Sequence, residues 1–206
     1  MTRRRSEVAP LVTRQHRVVR WVAATAVSIG IVIAVQAWVV KPYRIPSSSM
    51  APALRVGDRV LVDRVRFRLT DPHIGEIVVF HPPSAAKLPG CGKPSPVGSP
   101  CVVAASREDR STTFVKRIVA GPGDRLTIRR GRTFTNGRRV GPRTAGCTTE
   151  RGCTYARSLR VPAGRWYLMG DNRSDSNDSR FWGAVPTGWL IGPVVADIWP
   201  PARWTQ

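Results

Sequence analysis

A chain of 206 residues with 33 basic side chains against 13 acidic ones, a net charge of +20, is long enough for one domain with a real core beside a membrane anchor. A charge of that size raises nucleic acid as a partner, but the arginines run from Arg3 to Arg203 without gathering into one basic, aromatic-laced element, which argues against nucleic acid. What remains is an arginine-rich composition suited to anionic lipid next to an anchor.

Residues 1–20 form a basic tail in which Arg3, Arg4, Arg5, Arg14, Arg17 and Arg20 face the single acid Glu7. From Trp21 to Val40 the sequence WVAATAVSIGIVIAVQAWVV holds 20 residues without a charge. As a helix it spans about 30 Å, the thickness of a bilayer's hydrocarbon. The reading is a transmembrane helix over residues 21–40, with Trp21 and Trp38 near the interfaces and Gln36 tolerated near one end. The arginine excess before it predicts a cytoplasmic N-terminus, which places residues 41–206 outside as an extracytoplasmic domain. A cleaved secretory signal is the competing reading, but the apolar run exceeds a usual signal core and no small-residue cleavage site follows Val40.

Lys41–Ile45 reads as a short stalk, so the serines that follow emerge near the membrane. Beyond it, glycine and proline punctuate short Val/Ile-rich stretches with no helical periodicity, and an all-β body is expected. Gly57-Asp58, Gly75-Glu76 and Gly123-Asp124 each read as a turn opening a strand, and Asn136-Gly137 is a hairpin signal between residues 133–135 and 138–140. Residues 164–169 and 189–199 complete the strands. The Pro/Gly/Ser-rich stretch from His81 to Ser111 reads as a loop, and no repeat or second domain is evident.

Cys91, Cys101, Cys147 and Cys153 all fall on the outward side, where disulfides persist. Three connectivities exist in principle, and the short intervening loops favour Cys91 with Cys101 and Cys147 with Cys153. A zinc site is the rival, weakened because neither pair has knuckle spacing and no histidine lies near.

Of the basic residues only four are lysine. Lys41 sits at the membrane interface and Lys87 and Lys93 lie in the loop, where each reads as a solvated charge. Lys116 alone has apolar neighbours on both sides, in Thr113-Phe114-Val115-Lys116-Arg117-Ile118-Val119. A desolvated lysine can lose enough proton affinity to act as a general base, which arginine cannot. In a strand Lys116 shares a face with Phe114 and Ile118. The bland alternative is an exposed edge-strand lysine that blunts aggregation. A nucleophile to match the base lies in Pro46-Ser47-Ser48-Ser49-Met50-Ala51-Pro52. Of the histidines, His16 is cytoplasmic by the orientation argument, His73 is in a turn, and a Ser-His-Asp arrangement on His81 stays open. The polar segment Met169–Gly183 has the composition of a well-ordered turn, or of a shell orienting the base.

These motifs together carry a resemblance. Pro46-Ser47-Ser48-Ser49-Met50 with Pro52 and Leu54, then Gly75–Phe80, then Lys116-Arg117 with Pro122-Gly123-Asp124, then Gly170-Asp171-Asn172-Arg173 with Asp178-Ser179-Arg180 and Trp182-Gly183, resemble the ordered boxes of bacterial type I signal peptidases, the serine/lysine peptidase family S26. The resemblance covers roughly residues 21–200. It implies a signal-peptidase-like β-domain and a membrane-bound serine endopeptidase that removes signal peptides from secreted preproteins after a small-x-small (Ala-x-Ala) motif. It implies Ser49 as nucleophile, Lys116 as general base, and Ser47 as an oxyanion donor beside the Ser49 N–H. It also implies Ser176 as the hydroxyl orienting Lys116, with Asp178, Arg180, Asp171 and Arg117 holding the architecture, and Cys147–Cys153 matches a family disulfide. No metal or organic cofactor is implied. The partners implied are secretory preproteins and the bilayer, with the secretion translocon a further candidate.

The chain departs from the pattern at Ser48, where glycine is common, at Ala51 and Ala53, at Ala120-Gly121, and at Ser174-Asp175, where Asp-Asn is usual. Two rivals stand beside this reading. One is a serine/lysine protease processing a dedicated pilus or conjugation substrate; the other is a basic, membrane-tethered β module that binds anionic lipid or cell-wall polymer.

Overall fold

The computed structural model describes residues 9–84, 86, 91, 99–104, 107–142, 147 and 153–199. Arg3, Arg4, Arg5, Glu7, Lys87, Lys93 and Arg203 lie outside the described residues. The chain divides into two compact units at Val39 and Val40.

The first unit holds one helix, α1 (Ala9–Val39). It has no glycine until Gly30, and Pro10 sits in the first turn, where its missing N–H has no intrahelical acceptor to lose. The side chains from Arg17 to Ala34 form a stretch long and apolar enough to cross a membrane, and none of it is buried by protein. Two hydroxyls inside it bond back to the helix, Thr25 Oγ1 to the Trp21 carbonyl and Ser28 Oγ to the Ala24 carbonyl, each at 2.9 Å. Such back-bonding removes polar hydrogens from an apolar surface. The helix differs from the expected span at both ends, continuing through Arg14, Arg17 and Arg20 and stopping at Val39. Nothing in the basic segment breaks a helix, so propagation does not end where the charges begin.

The second unit is mostly β. In chain order its strands are β1 (Val40–Arg44), β2 (Arg59–Asp63), β3 (Ile77–Phe80), β4 (Phe114–Ala120), β5 (Arg125–Arg129), β6 (Arg132–Thr135), β7 (Arg138–Val140), β8 (Leu159–Arg160), β9 (Arg165–Met169), β10 (Val185–Pro186) and β11 (Leu190–Trp199). Seven form one sheet in the order β1-β2-β11-β3-β4-β9-β10, and four form a second in the order β7-β6-β5-β8. Two single-turn helices interrupt them, α2 (Arg66–Leu69) and α3 (Ser179–Trp182).

The expected stalk is a strand. Val40 to Arg44 pair with Asp63 to Arg59 in an unbroken antiparallel register. Pro42 does not prevent this, because β1 is the sheet's edge and needs donors on one side only.

Each of the three Gly-acid turns places its glycine in the left-handed region, Gly57 at φ 92°, Gly75 at 97° and Gly123 at 81°. The long strand β11 serves two partners, pairing with β3 through Leu190–Pro193 and with β2 through Val194–Trp199. Gly192 permits that close crossing, since a Cβ there would lie 1.8 Å from the Asp63 carbonyl oxygen. Three apolar clusters fill the unit. One, built from Ile45, Met50, Leu54, Val60, Val62 and Val79, forms the floor beneath the serine segment. Another, including Phe80, Ile118, Leu168 and Trp182, packs Phe114 against it. The third joins Leu126 and Ile128 of β5 to Val119, Tyr167 and Met169 of the larger sheet. In the long loop the described residues form a bridge between Pro83 and Glu108. Both expected disulfides, Cys91–Cys101 and Cys147–Cys153, are present.

Candidate active site

The serine segment forms a single 3-10 turn, Ser48–Met50, whose Met50 is pushed into the apolar floor and is 1% exposed. Burying Met50 fixes the turn's rotation and turns Ser49, itself buried, toward β4. Lys116 enters from β4, where it pairs with Val78 of β3. It is 4% exposed, against the reading of an exposed edge lysine. Strand alternation holds at this point: the ammonium lies 5.7 Å from the centroid of the Phe114 ring, its neighbour on the same face. Lys116 Nζ donates to Ser49 Oγ at 2.6 Å, across 67 residues of sequence.

Burial lowers the Lys116 pKa from 10.5 to about 8. Arg180 pushes in the same direction, while Asp178, Asp175 and Asp171 oppose it. At pH 7 about one molecule in ten therefore carries a neutral amine at this position. Its lone pair can then accept the Ser49 proton along the contact that the ammonium now fills.

Ser47 Oγ lies 3.2 Å from Ser49 Oγ. Its hydroxyl is therefore next to the candidate nucleophile. His81 Nδ1 lies 3.0 Å from the Thr112 carbonyl oxygen, and no hydrogen bond joins His81 to the serines among the described residues. Lys41 sits 5.6 Å from the Tyr43 ring centroid on an exposed strand.

The segment after β9 wraps the serine turn. Asn172 N–H donates to the Ser49 carbonyl at 3.0 Å, and Ser48 Oγ donates to the Asp175 carboxylate. Gly170 is the tightest point. A Cβ on it would lie 2.2 Å from Ser176 Oγ and 2.5 Å from the Ser49 carbonyl oxygen. Ser176 is buried but differs in its bonding: its hydroxyl makes no hydrogen bond to Lys116, and it faces Asp178 instead, where it helps to hold that carboxyl low. The lysine's close oxygen contact is instead the nucleophile itself.

Asp178 and Arg180 form a wholly buried ion pair, Nε to Oδ1 at 2.8 Å and Nη2 to Oδ2 at 2.9 Å. Burial alone raises the Asp178 carboxyl, but the guanidinium and the Gly170 N–H at 3.0 Å outweigh it and hold it below the ordinary carboxylate range. Arg180 Nη2 also donates to the carbonyls of Arg173 and Ser176, so one side chain ties both ends of the loop. Arg117 holds Asp171 bidentately at 2.8 and 2.6 Å and reaches the Gly75 carbonyl at 2.6 Å.

Sequence reasoning assigned no role to Arg173, Asn172 or Asp175. Arg173 is buried and donates to the carbonyls of Gly170 at 2.7 Å and Gly131 at 2.5 Å, fastening the loop to the second sheet. An arginine inside the Gly170–Arg173 box was visible, but its carbonyl partners come from glycines that no side-chain pattern marks.

A groove of about 400 Å³ opens over the serine and lysine, and its lining includes Tyr43–Ser47, Thr112–Val115, Asp175 and Asn177. Along its β4 wall, Phe114–Lys116 pair with β3 alone, because pairing with β9 begins at Arg117. One backbone edge therefore faces the groove.

Comparison with known proteins finds relatives of the chain. The family model described as signal peptidase, peptidase S26, matches residues 18–199. A protein named probable signal peptidase I-1 from Synechocystis is 32% identical over 87% of this chain and 82% of its own length. Signal peptidase IB of Staphylococcus aureus is 26% identical over 90% of this chain and 92% of its own. The crystal structure of a signal peptidase I from Enterococcus faecalis aligns with 61% of this chain and 97% of its own, at 19% identity and a TM-score of 0.38.

Proposed function

Because the chain belongs to the peptidase S26 family of signal peptidases, we propose that it is a membrane-anchored serine endopeptidase in which Ser49 is the nucleophile and Lys116 the general base. The observation that carries this is the 2.6 Å approach of a buried lysine nitrogen to a buried serine oxygen. Neutral Lys116 takes the Ser49 proton as Oγ attacks the peptide carbonyl. The protonated lysine then gives that proton to the departing amine, leaving an acyl-enzyme. Lys116, neutral again, takes a proton from the water that attacks the acyl carbon and gives it to Ser49 Oγ as that oxygen leaves, which frees the acid product and restores Ser49. The Ser47 hydroxyl and the Ser49 N–H stabilise the oxyanion, an effect of about 3 kcal/mol per well-placed donor.

The substrate is the signal peptide of a secretory preprotein. An extended segment adds to the open edge of β4 by backbone pairing. Its alternate side chains then point at the floor of Ile45 and Met50, which suits alanine at a small-x-small site. Residues 21–40 anchor the enzyme with its N-terminus in the cytoplasm and residues 41–206 outside, by the arginine excess before the apolar run. The test is incubation of the full chain in detergent micelles with a preprotein bearing an Ala-x-Ala site, with product masses read by mass spectrometry. The reading expects one cut after the second alanine, lost when that alanine becomes bulky. A cut elsewhere, indifferent to that change, contradicts it.

A further inference from the structure

We propose that Asp175 is a positioning residue of the peptidase reaction, whose carboxylate accepts the Ser48 hydroxyl and so fixes the turn that presents Ser49 to Lys116. The inference rests on the serine/lysine reading above. Ser48 and Asp175 are separated by 127 residues, and Asp175 lines the groove that holds Ser49 and Lys116.

The ties between the serine turn and the loop after β9 include Ser48 Oγ to Asp175, Asn172 N–H to the Ser49 carbonyl at 3.0 Å, and Asn172 Nδ2 to the Ser48 carbonyl at 3.4 Å. The first is charge-assisted, and charge-assisted bonds are about twice as strong as neutral ones. The loop is itself shaped for the purpose, since the Asp175 N–H donates to the Asn172 carbonyl at 3.1 Å and turns the carboxylate back toward the serines. The other carboxylates that act on Lys116 are already committed to arginines, Asp178 to Arg180 and Asp171 to Arg117. Asp175 is committed to a hydroxyl instead, with no arginine paired to it in the salt bridges of this site. Its charge favours the protonated form of Lys116, as those of Asp178 and Asp171 do, while burial and Arg180 favour the neutral form. Asp175 thus does two separable things: it braces Ser49 through Ser48, and it holds the base's titration higher than it would otherwise lie.

The experiment is a double-mutant cycle on the full chain in detergent micelles, with Ser48→Gly, Asp175→Asn and the pair assayed for kcat, KM and pH dependence on one preprotein. Removing one exposed charge-assisted bond is expected to lower kcat about three- to tenfold in each single variant with KM within about twofold. The double variant should be no slower than the slower single. The pH at half-maximal rate should fall in Asp175→Asn and in the double variant, and stay in place in Ser48→Gly. Multiplicative losses in the double variant, or an Asp175→Asn enzyme with wild-type kcat and pH midpoint, would overturn the proposal while leaving the serine/lysine reading standing. Processing by Ser49→Ala, run alongside, would overturn that reading and the proposal with it.

Discussion

Replacing Lys116 by methionine should inactivate the protein and, at neutral pH, make it more stable. Methionine keeps most of the apolar stem and removes the buried ammonium. In the folded protein the lysine titrates near 8 rather than at 10.5. The unfolded chain therefore binds the additional proton between those values, and wild-type stability rises with pH across that window. Below about pH 8 both states are protonated and burial opposes folding in full. At pH 7 the opposition amounts to about 3 kcal/mol, and by pH 10 it has shrunk to about 1 kcal/mol. Losing the contact with Ser49 Oγ returns about 1–2 kcal/mol against the variant at every pH. The expected outcome is a variant more stable than wild type by about 1–2 kcal/mol at pH 7, with the difference moving against it by about 2 kcal/mol at pH 10. Denaturant unfolding of both full-length proteins in the same detergent, followed by the fluorescence of the buried Trp166 and Trp182, measures this. A stability difference that does not change between pH 7 and pH 10 would refute the argument that Lys116 is desolvated.

Other expectations follow from the same geometry. The kcat/KM profile should rise tenfold per unit at low pH and level off above about 8, because the neutral amine is the active form; a profile that is flat between pH 6 and pH 9 would point to a different base. Gly170→Ala should lower kcat at least tenfold and destabilise the fold by about 1–3 kcal/mol, because the new methyl group must displace the Ser49 carbonyl and Ser176. Wild-type rates and unfolding midpoints would show the crowding to be harmless. Arg180→Met should cost about 3–5 kcal/mol by stranding the Asp178 charge, and Arg180→Met with Asp178→Leu should recover much of that in denaturant unfolding. No recovery in the double variant would place the effect in Arg180's bonds to the Arg173 and Ser176 carbonyls.

The strands were legible where a glycine turn and a β-branched run coincide, as at Gly57–Asp63, Gly75–Phe80 and Gly123–Ile128. The Asn136-Gly137 hairpin was readable for the same reason, with both residues at positive φ. Its neighbour was not: Arg130-Gly131 makes the equivalent turn between β5 and β6, but arginine is a poor marker for the φ of 50° it adopts there. β1 was misread because Lys41-Pro42-Tyr43-Arg44 has the composition of a linker, and only its pairing with β2 makes it a strand. β8 and β10 hold two residues each and exist by virtue of their partners. In the site, Lys116 stood out because charge inside an apolar run is unusual, and the structure brings it to Ser49. The bond expected between Ser176 and Lys116 is absent, since the loop's path is set by Arg173 and Arg180 reaching backbone carbonyls, and such bonds leave no trace in side-chain spacing. The charge distribution was likewise hidden. Residues 125–164 hold ten arginines against Glu150 alone, an excess that looks dispersed in sequence until the second sheet gathers most of that segment.

The most direct test of the account is preprotein processing by the full chain beside Ser49→Ala and Lys116→Met, in one detergent and at one pH. The account predicts cleavage by wild type alone, with both variants folded and inactive. Cleavage by either variant at a rate near wild type would contradict it.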